Sequence, residues 1–262
     1  MSLVIPSNLS VLIKKQIVLL LGETHGTNEY PIAMANLVRY SVESLHKKTI
    51  LHLEFPFWVK EAFNLWLLKG EDLDIAKMRI FAEDMRLSSG FCNALISIKD
   101  LIISGDVIIN CFDSRDPELD QSFTQEESEY QMAHNLISAI NNYPNDFHII
   151  YVGNVHAAIY ETSHPLFGFR TMGSFLAEDL KNLININLCD IGGAFRGIRA
   201  CSDGTYRLVV SECFRDISTN TPVNTFEYFH KPTQGFYGEW NIGTITPADC
   251  LIPGLADGAI LG

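Results

Sequence analysis

Four apolar runs in this chain each stop on a residue capable of acid–base chemistry, and two of them stop on the same motif. Residues 17–21 (Ile-Val-Leu-Leu-Leu) lead into Gly22-Glu23-Thr24-His25, and residues 149–152 (Ile-Ile-Tyr-Val) lead into Gly153-Asn154-Val155-His156. The run at 50–53 stops at Glu54, and the run at 107–112 stops at Asp113. In an open α/β sheet, ligands bind outside the carboxyl ends of the strands. Strands ending this way bring Glu23, His25, Glu54, Asp113 and His156 to one crevice.

The stretches between the runs have helical spacing. Ile32, Ala35, Val38, Val42 and Leu45 form one stripe after the first run, with Thr27 or Asn28 as its cap and Pro31 in its first turn. Residues 57–69 predict a helix stopping at Gly70, followed by an amphipathic piece at 72–85 and a crossover helix at 91–104. Together, 57–90 make an insertion too long for a plain crossover, expected as a helical lid. A helix at 125–141 precedes the fourth run, and 171–182 predicts a short one. Residues 184–188 alternate like a half-buried strand, and 195–200 and 206–210 flank a hairpin signal at 202–205. Beyond 214, Pro222, Pro232, Pro247 and Pro253 predict an irregular covering segment without its own core. The expected fold is a single α/β domain over 1–262: a central, mostly parallel sheet flanked by helices, with the lid insertion and a C-terminal hairpin.

Composition narrows the function classes. With 262 residues, 47% apolar, the chain reads as globular, and a formal net charge of -12 argues against a nucleic-acid partner. The apolar segment at 17–21 is too short to span a membrane and leads into Gly22-Glu23 without a cleavage signature. The six cysteines are scattered with no C-x-x-C, as in a reduced, cytoplasmic protein. A small-molecule substrate is the expected partner; oligomeric state is not legible.

Imidazole titrates near neutrality, so His25 is the candidate general base on water, with Glu23 or Glu54 orienting it and His156 facing it. The helix after His25 points free N–H groups at the same place, and Glu29 in its first turn and Asp113 are candidate substrate contacts. The set Glu23, His25, Glu54 and His156 is also chemically competent to hold a divalent metal, although no local ligand motif such as H-E-x-x-H supports it. G-x-S-x-G, G-x-G-x-x-G and the Walker pattern are all absent.

The segment from Gly22 to Glu29 closely resembles the GE-(x)-THG-x-x-E signature of erythromycin esterase-like proteins. Its pairing with a second G-x-x-H is similar to the wider superfamily of those esterases, the ChaN-like haem-uptake proteins and the Tiki proteases. Leu53-Glu54 resembles the second-strand acid of that group, Asp84-Met85-Arg86 its D-x-R element, and residues 171–176 its Met-Gly-x-x-Leu element. The resemblance spans roughly 15–200. It implies a hydrolase of ester- or lactone-like bonds, with Arg86 in the site holding an anionic group or the oxyanion. It also implies an alternative, a haem- or metal-binding protein using the same crevice without turnover, with Tyr30 and Tyr151 as axial candidates for haem.

Overall fold

A computed structural model describes residues 4–113, 123–181, 183–201, 205–213, 223–252, 255 and 257–261. Seven strands form the main sheet: β1 (Val18–Glu23), β2 (Thr49–Pro56), β3 (Val107–Asp113), β4 (Phe147–Gly153), β5 (Ile184–Cys189), β8 (Thr225–Thr233) and β9 (Phe236–Asn241). Their order is β3-β2-β4-β1-β5-β9-β8, parallel throughout except for β8, which runs antiparallel to β9. β1, β2 and β4 are buried along their whole length, as continuous apolar runs in a two-faced parallel sheet require. A smaller antiparallel sheet holds β6 (Gly193–Ala200), β7 (Tyr206–Cys213) and the short β10 (Ile260–Leu261). The β6–β7 pair is the expected C-terminal hairpin; residues 202–204 of its turn lie outside the described residues.

The order of strands places the site. The chain leaves β1 for β2 by passing over the position β4 later fills, and leaves β4 for β5 by passing over β1. The sheet therefore reverses its winding between β1 and β4, where a crevice opens beyond the strand ends. β1 and β4 are paired with Glu23 opposite Gly153, so the two Gly-x-x-His motifs are adjacent.

Helices cover both faces. After β1 comes α2 (Glu29–Glu43), whose first turn is held by Thr27 Oγ1 accepting from the Tyr30 N–H at 3.4 Å; Asn28 instead donates to Thr246 and Pro247. The 57–90 insertion divides in two. Its first part, α3 (Phe57–Asn64) with a π-turn at Leu65–Lys69, ends at Gly70 in the left-handed conformation. Val59, Phe63 and Leu67 bury against the sheet face beside Phe55 and Phe91. In its second part, Asp84–Arg86 reach the strand ends. The 72–85 piece is helical only over α4 (Arg79–Glu83), and the 91–104 helix is two, α5 (Ser89–Ser97) and α6 (Lys99–Ser104), broken at Ile98. Helix α7 (Gln125–Asn142) starts on a capping box in which Thr124 and Glu127 satisfy each other's backbone N–H. A single turn, α8 (Asn154–Ala157), follows β4, and α9 (Met172–Asp179) is capped by Thr171.

The segment beyond 214 corrects the expectation of an irregular cover. β8 and β9 extend the main sheet, and Phe226, Trp240, Ile242 and Ile245 belong to its main core. The alternation Phe236, Gly238, Trp240 buried against Tyr237 and Glu239 half-buried is an ordinary strand period. Pro232 is tolerated because β8 is an edge strand, where a missing N–H breaks no ladder. Among the described residues, no helix is long and apolar enough to cross a membrane.

Candidate active site

At the ends of β1, β2 and β4, two imidazoles share one carboxylate. His25 Nε2 lies 3.8 Å from Glu54 Oε2, and His156 Nε2 lies 3.6 Å from Glu54 Oε1. Each ring turns its other nitrogen to a carboxylate of its own: His25 Nδ1 to Glu23 Oε1 at 2.6 Å, His156 Nδ1 to Glu129 Oε1 at 2.7 Å. An ionised carboxylate only accepts, so Nδ1 of each ring carries the proton and Nε2 is the nitrogen presented to the site.

Local sequence explains this geometry. Gly153 ends β4 under both rings: a Cβ there would lie 3.2 Å from His25 Nε2, 3.4 Å from His156 Cδ2 and 3.5 Å from Glu54 Oε2. The glycine of the second motif is thus the floor that lets the functional groups gather. Its N–H donates to Glu54 Oε2 at 2.8 Å. The other side of Glu54 is held by Arg86, whose Nη1 donates to the Glu54 carbonyl (3.1 Å), to Oε1 (3.4 Å) and to Asp113 Oδ2 (3.0 Å). Asp84 accepts from the Arg86 N–H and Nε, closing a turn in which Met85 sits at φ 67°. A non-glycine residue held there is strained by about 1–3 kcal/mol, a strain that clusters at functional sites.

The expected residues therefore fall into groups. Glu23, His25, Glu54 and His156 come together. Arg86 is largely buried and engaged by Asp84, Glu54 and Asp113, which makes it an anchor of Glu54. Asp113 acts through Arg86. Glu29 is elsewhere: both its oxygens accept from Thr246, tying α2 to the C-terminal segment. Glu129 escaped sequence reading. It sits on α7 in register with Met132, Leu136 and Ile140, so its one signal was an acid inside an apolar stripe.

Charge assigns the first histidine. Burial disfavours its protonated form, but the charge and hydrogen bond of Glu23, followed by the charges of Glu54 and Asp84, outweigh it and raise the His25 pKa to about 9. The protonated ring is thus the favoured form of His25 at neutral pH. Burial, followed by the Glu23 charge, pushes the Tyr151 hydroxyl well above its usual range, so it stays neutral.

A crevice of about 300 Å³ opens over the two rings, between the Glu23–His25 turn, Asp84, Gly153–His156 and a wall of Phe195, Gly197 and Ile198 from β6. β6 is tied to the first motif by the Arg196 N–H, which donates to Gly26 O at 3.0 Å. Gly26 has φ 83°, and a Cβ there would lie 1.7 Å from Arg196 O. The axial candidates for haem are not on this crevice. Tyr30 is buried with its hydroxyl donating to Asp190, and Tyr151 lines a separate void of about 10 Å³ beneath His25. The four side chains of the expected metal set gather without aiming their donor atoms at one point, because Glu23 stands behind His25 on Nδ1. Among the described residues no group of three or more His, Cys, Asp or Glu side chains is arranged to hold a metal ion.

No protein-family model and no curated protein matches this sequence. Solved structures do match its fold. A histidine-to-asparagine mutant of the erythromycin esterase EreC in its open conformation superposes with a TM-score of 0.67 at 13% identity, over 94% of each chain. A succinoglycan biosynthesis protein gives 0.69 at 13% identity, over 93% of this chain and 92% of that one. A Bacillus cereus protein gives 0.57 at 11% identity, over 93% and 92%. The fold is erythromycin esterase-like, a mostly parallel sheet flanked by helices with a second antiparallel hairpin.

Proposed function

We propose that the crevice is the active site of a hydrolase that cleaves an ester- or lactone-like bond of a small molecule. The observation carrying this reading is the pair of imidazoles with Nδ1 backed by carboxylates and Nε2 turned to the crevice on either side of Glu54. Such a pair moves two protons. His156, neutral at Nε2, takes one from water as the water oxygen bonds to the acyl carbon. His25, already protonated, gives one to the alkoxide oxygen as the acyl C–O bond breaks. The two rings then exchange the surplus proton through solvent. Glu54 stabilises whichever ring is charged, and Arg86 with the Gly153 N–H fixes Glu54.

A panel of ester and lactone substrates tests this directly. On any substrate turned over, His25→Ala lowers kcat/KM by about 10²–10⁴-fold, the usual contribution of a general acid or base. A folded His25→Ala protein with full activity removes His25 from the mechanism. Haem titration supplies the contrast: a stoichiometric Soret shift lost in His25→Ala would replace hydrolysis with cofactor binding.

A further inference from the structure

Glu129 is fully buried on α7, within the stripe that packs Met132, Leu136 and Ile140 into the core on that side of the sheet. A carboxylate there is retained only if its oxygens are occupied. Oε1 accepts from His156 Nδ1 at 2.7 Å and from Gln125 Nε2 at 2.6 Å; Oε2 accepts from the Met172 N–H at 2.8 Å. Met172 is the first residue of α9, so the carboxylate also faces the positive end of a helix. The arrangement repeats, from a helix, what Glu23 does for His25 from a strand end.

We propose that Glu129 is the positioning residue of a second acid–base dyad, holding His156 with Nε2 turned into the crevice. The pairing stands on geometry alone; its use in turnover rests on the hydrolase reading above. A ring free to rotate would offer its lone pair on either nitrogen. With Glu129 on Nδ1, the neutral ring presents the lone pair at Nε2, and a charge gained there is met by a carboxylate on each side. The titratable groups around the pair are Glu54 from β2, His25 from the turn after β1, and His164, whose pKa burial lowers against the pull of the Glu129 charge. The two dyads differ in what lies behind them. Glu23 belongs to the motif itself, whereas Glu129 couples His156 to the junction of α7 and α9, so a shift of either helix is transmitted to the ring.

The experiment is ¹⁵N NMR of histidine-labelled, full-length protein. In the wild type, the neutral His156 ring carries its proton on Nδ1. Glu129→Gln keeps an oxygen acceptor of the same shape but removes the charge. The His156 titration midpoint then falls by about 1–3 pH units, as loss of an adjacent opposite charge predicts. Glu129→Asp, which keeps the charge, restores part of it. His25, held by Glu23, is the internal control and moves little. Either of two results overturns the proposal: a wild-type His156 protonated on Nε2, or an unmoved midpoint in a folded Glu129→Gln protein. If that variant does not fold, the wild-type tautomer still decides. Neither readout depends on a substrate, so a failed hydrolase assay leaves this result standing.

Discussion

Assigning His25 as the proton donor makes a prediction whose sign can be read on a pH axis. Raising an imidazole pKa from 6.5 to about 9 corresponds to about 3 kcal/mol in favour of the charged ring. The net effect survives burial only because Glu23 lies 2.6 Å from Nδ1, with Glu54 and Asp84 adding their charges. On the alkaline side the rate should therefore fall above pH ~9, as the donor is lost. Glu23→Gln keeps an acceptor for Nδ1–H and deletes the charge, so the alkaline limb moves down by about 1–3 pH units. The assay is kcat/KM from pH 6 to 10.5 on a lactone or ester whose background hydrolysis is subtracted. A rate climbing through pH 9 would show that His25 works deprotonated, as a base. An unmoved limb in folded Glu23→Gln would show that the ring is not held by Glu23. The same linkage appears in stability: the contribution of a raised His25 is complete below pH 6.5 and is lost as pH rises through about 9.

Gly153→Ala places a methyl 3.2 Å from His25 Nε2, and the native φ of -55° accepts alanine; kcat/KM should fall about 10²-fold with thermal stability nearly kept. Unchanged turnover would mean that the rings need not gather where they do. His52 and His148 are buried and hydrogen-bonded to each other at 2.9 Å, and burial depresses both, with the His148 and Lys60 charges adding to the effect at His52. The contribution of this pair to stability should accordingly be full above pH 6.5 and drop by about 1.4 kcal/mol per pH unit per ring as pH falls below it; urea midpoints independent of pH between 6.5 and 5 refute this. Gly197→Val on the β6 wall, beside Phe195, narrows the crevice and should raise KM for bulky acyl groups more than for acetyl esters, measured across a homologous series.

What was legible in the sequence was whatever depends on nearest neighbours along the chain. Strands β1, β2 and β4 were plain because a strand buried on both faces is mostly apolar, β3 was plain for its own apolar run, and each led into a functional residue. Helix α2 was plain for its period. Glu129 was not legible as a site residue, because its partner lies 27 positions away and the helix around it was satisfied as a crossover. Within the 72–85 piece only Arg79–Glu83 is helical, although Leu73 and Ile75 still pack against the core, and Ile98 stays buried in the Phe91, Leu95, Ile102 stripe where the 91–104 helix breaks. β8 and β9 were hidden by prolines, whose usual meaning changes at a sheet edge. Arg86 was found through resemblance, and its three carboxylate partners were not legible, since one sequence cannot show which acids surround a cation.

The tie between Gly26 and Arg196 has a consequence for biosynthesis. The first motif is made early, but the wall that completes its crevice arrives some 170 residues later, and β5 waits with an open edge until β9 is made. A ribosome that has delivered the chain through β5 has therefore exposed both histidines, their carboxylates and an unpaired parallel edge, but no enclosed site. Such edges invite pairing with other chains. Closure of the crevice is thus a late event of synthesis, and slow delivery of the segment after β5 should tax solubility first.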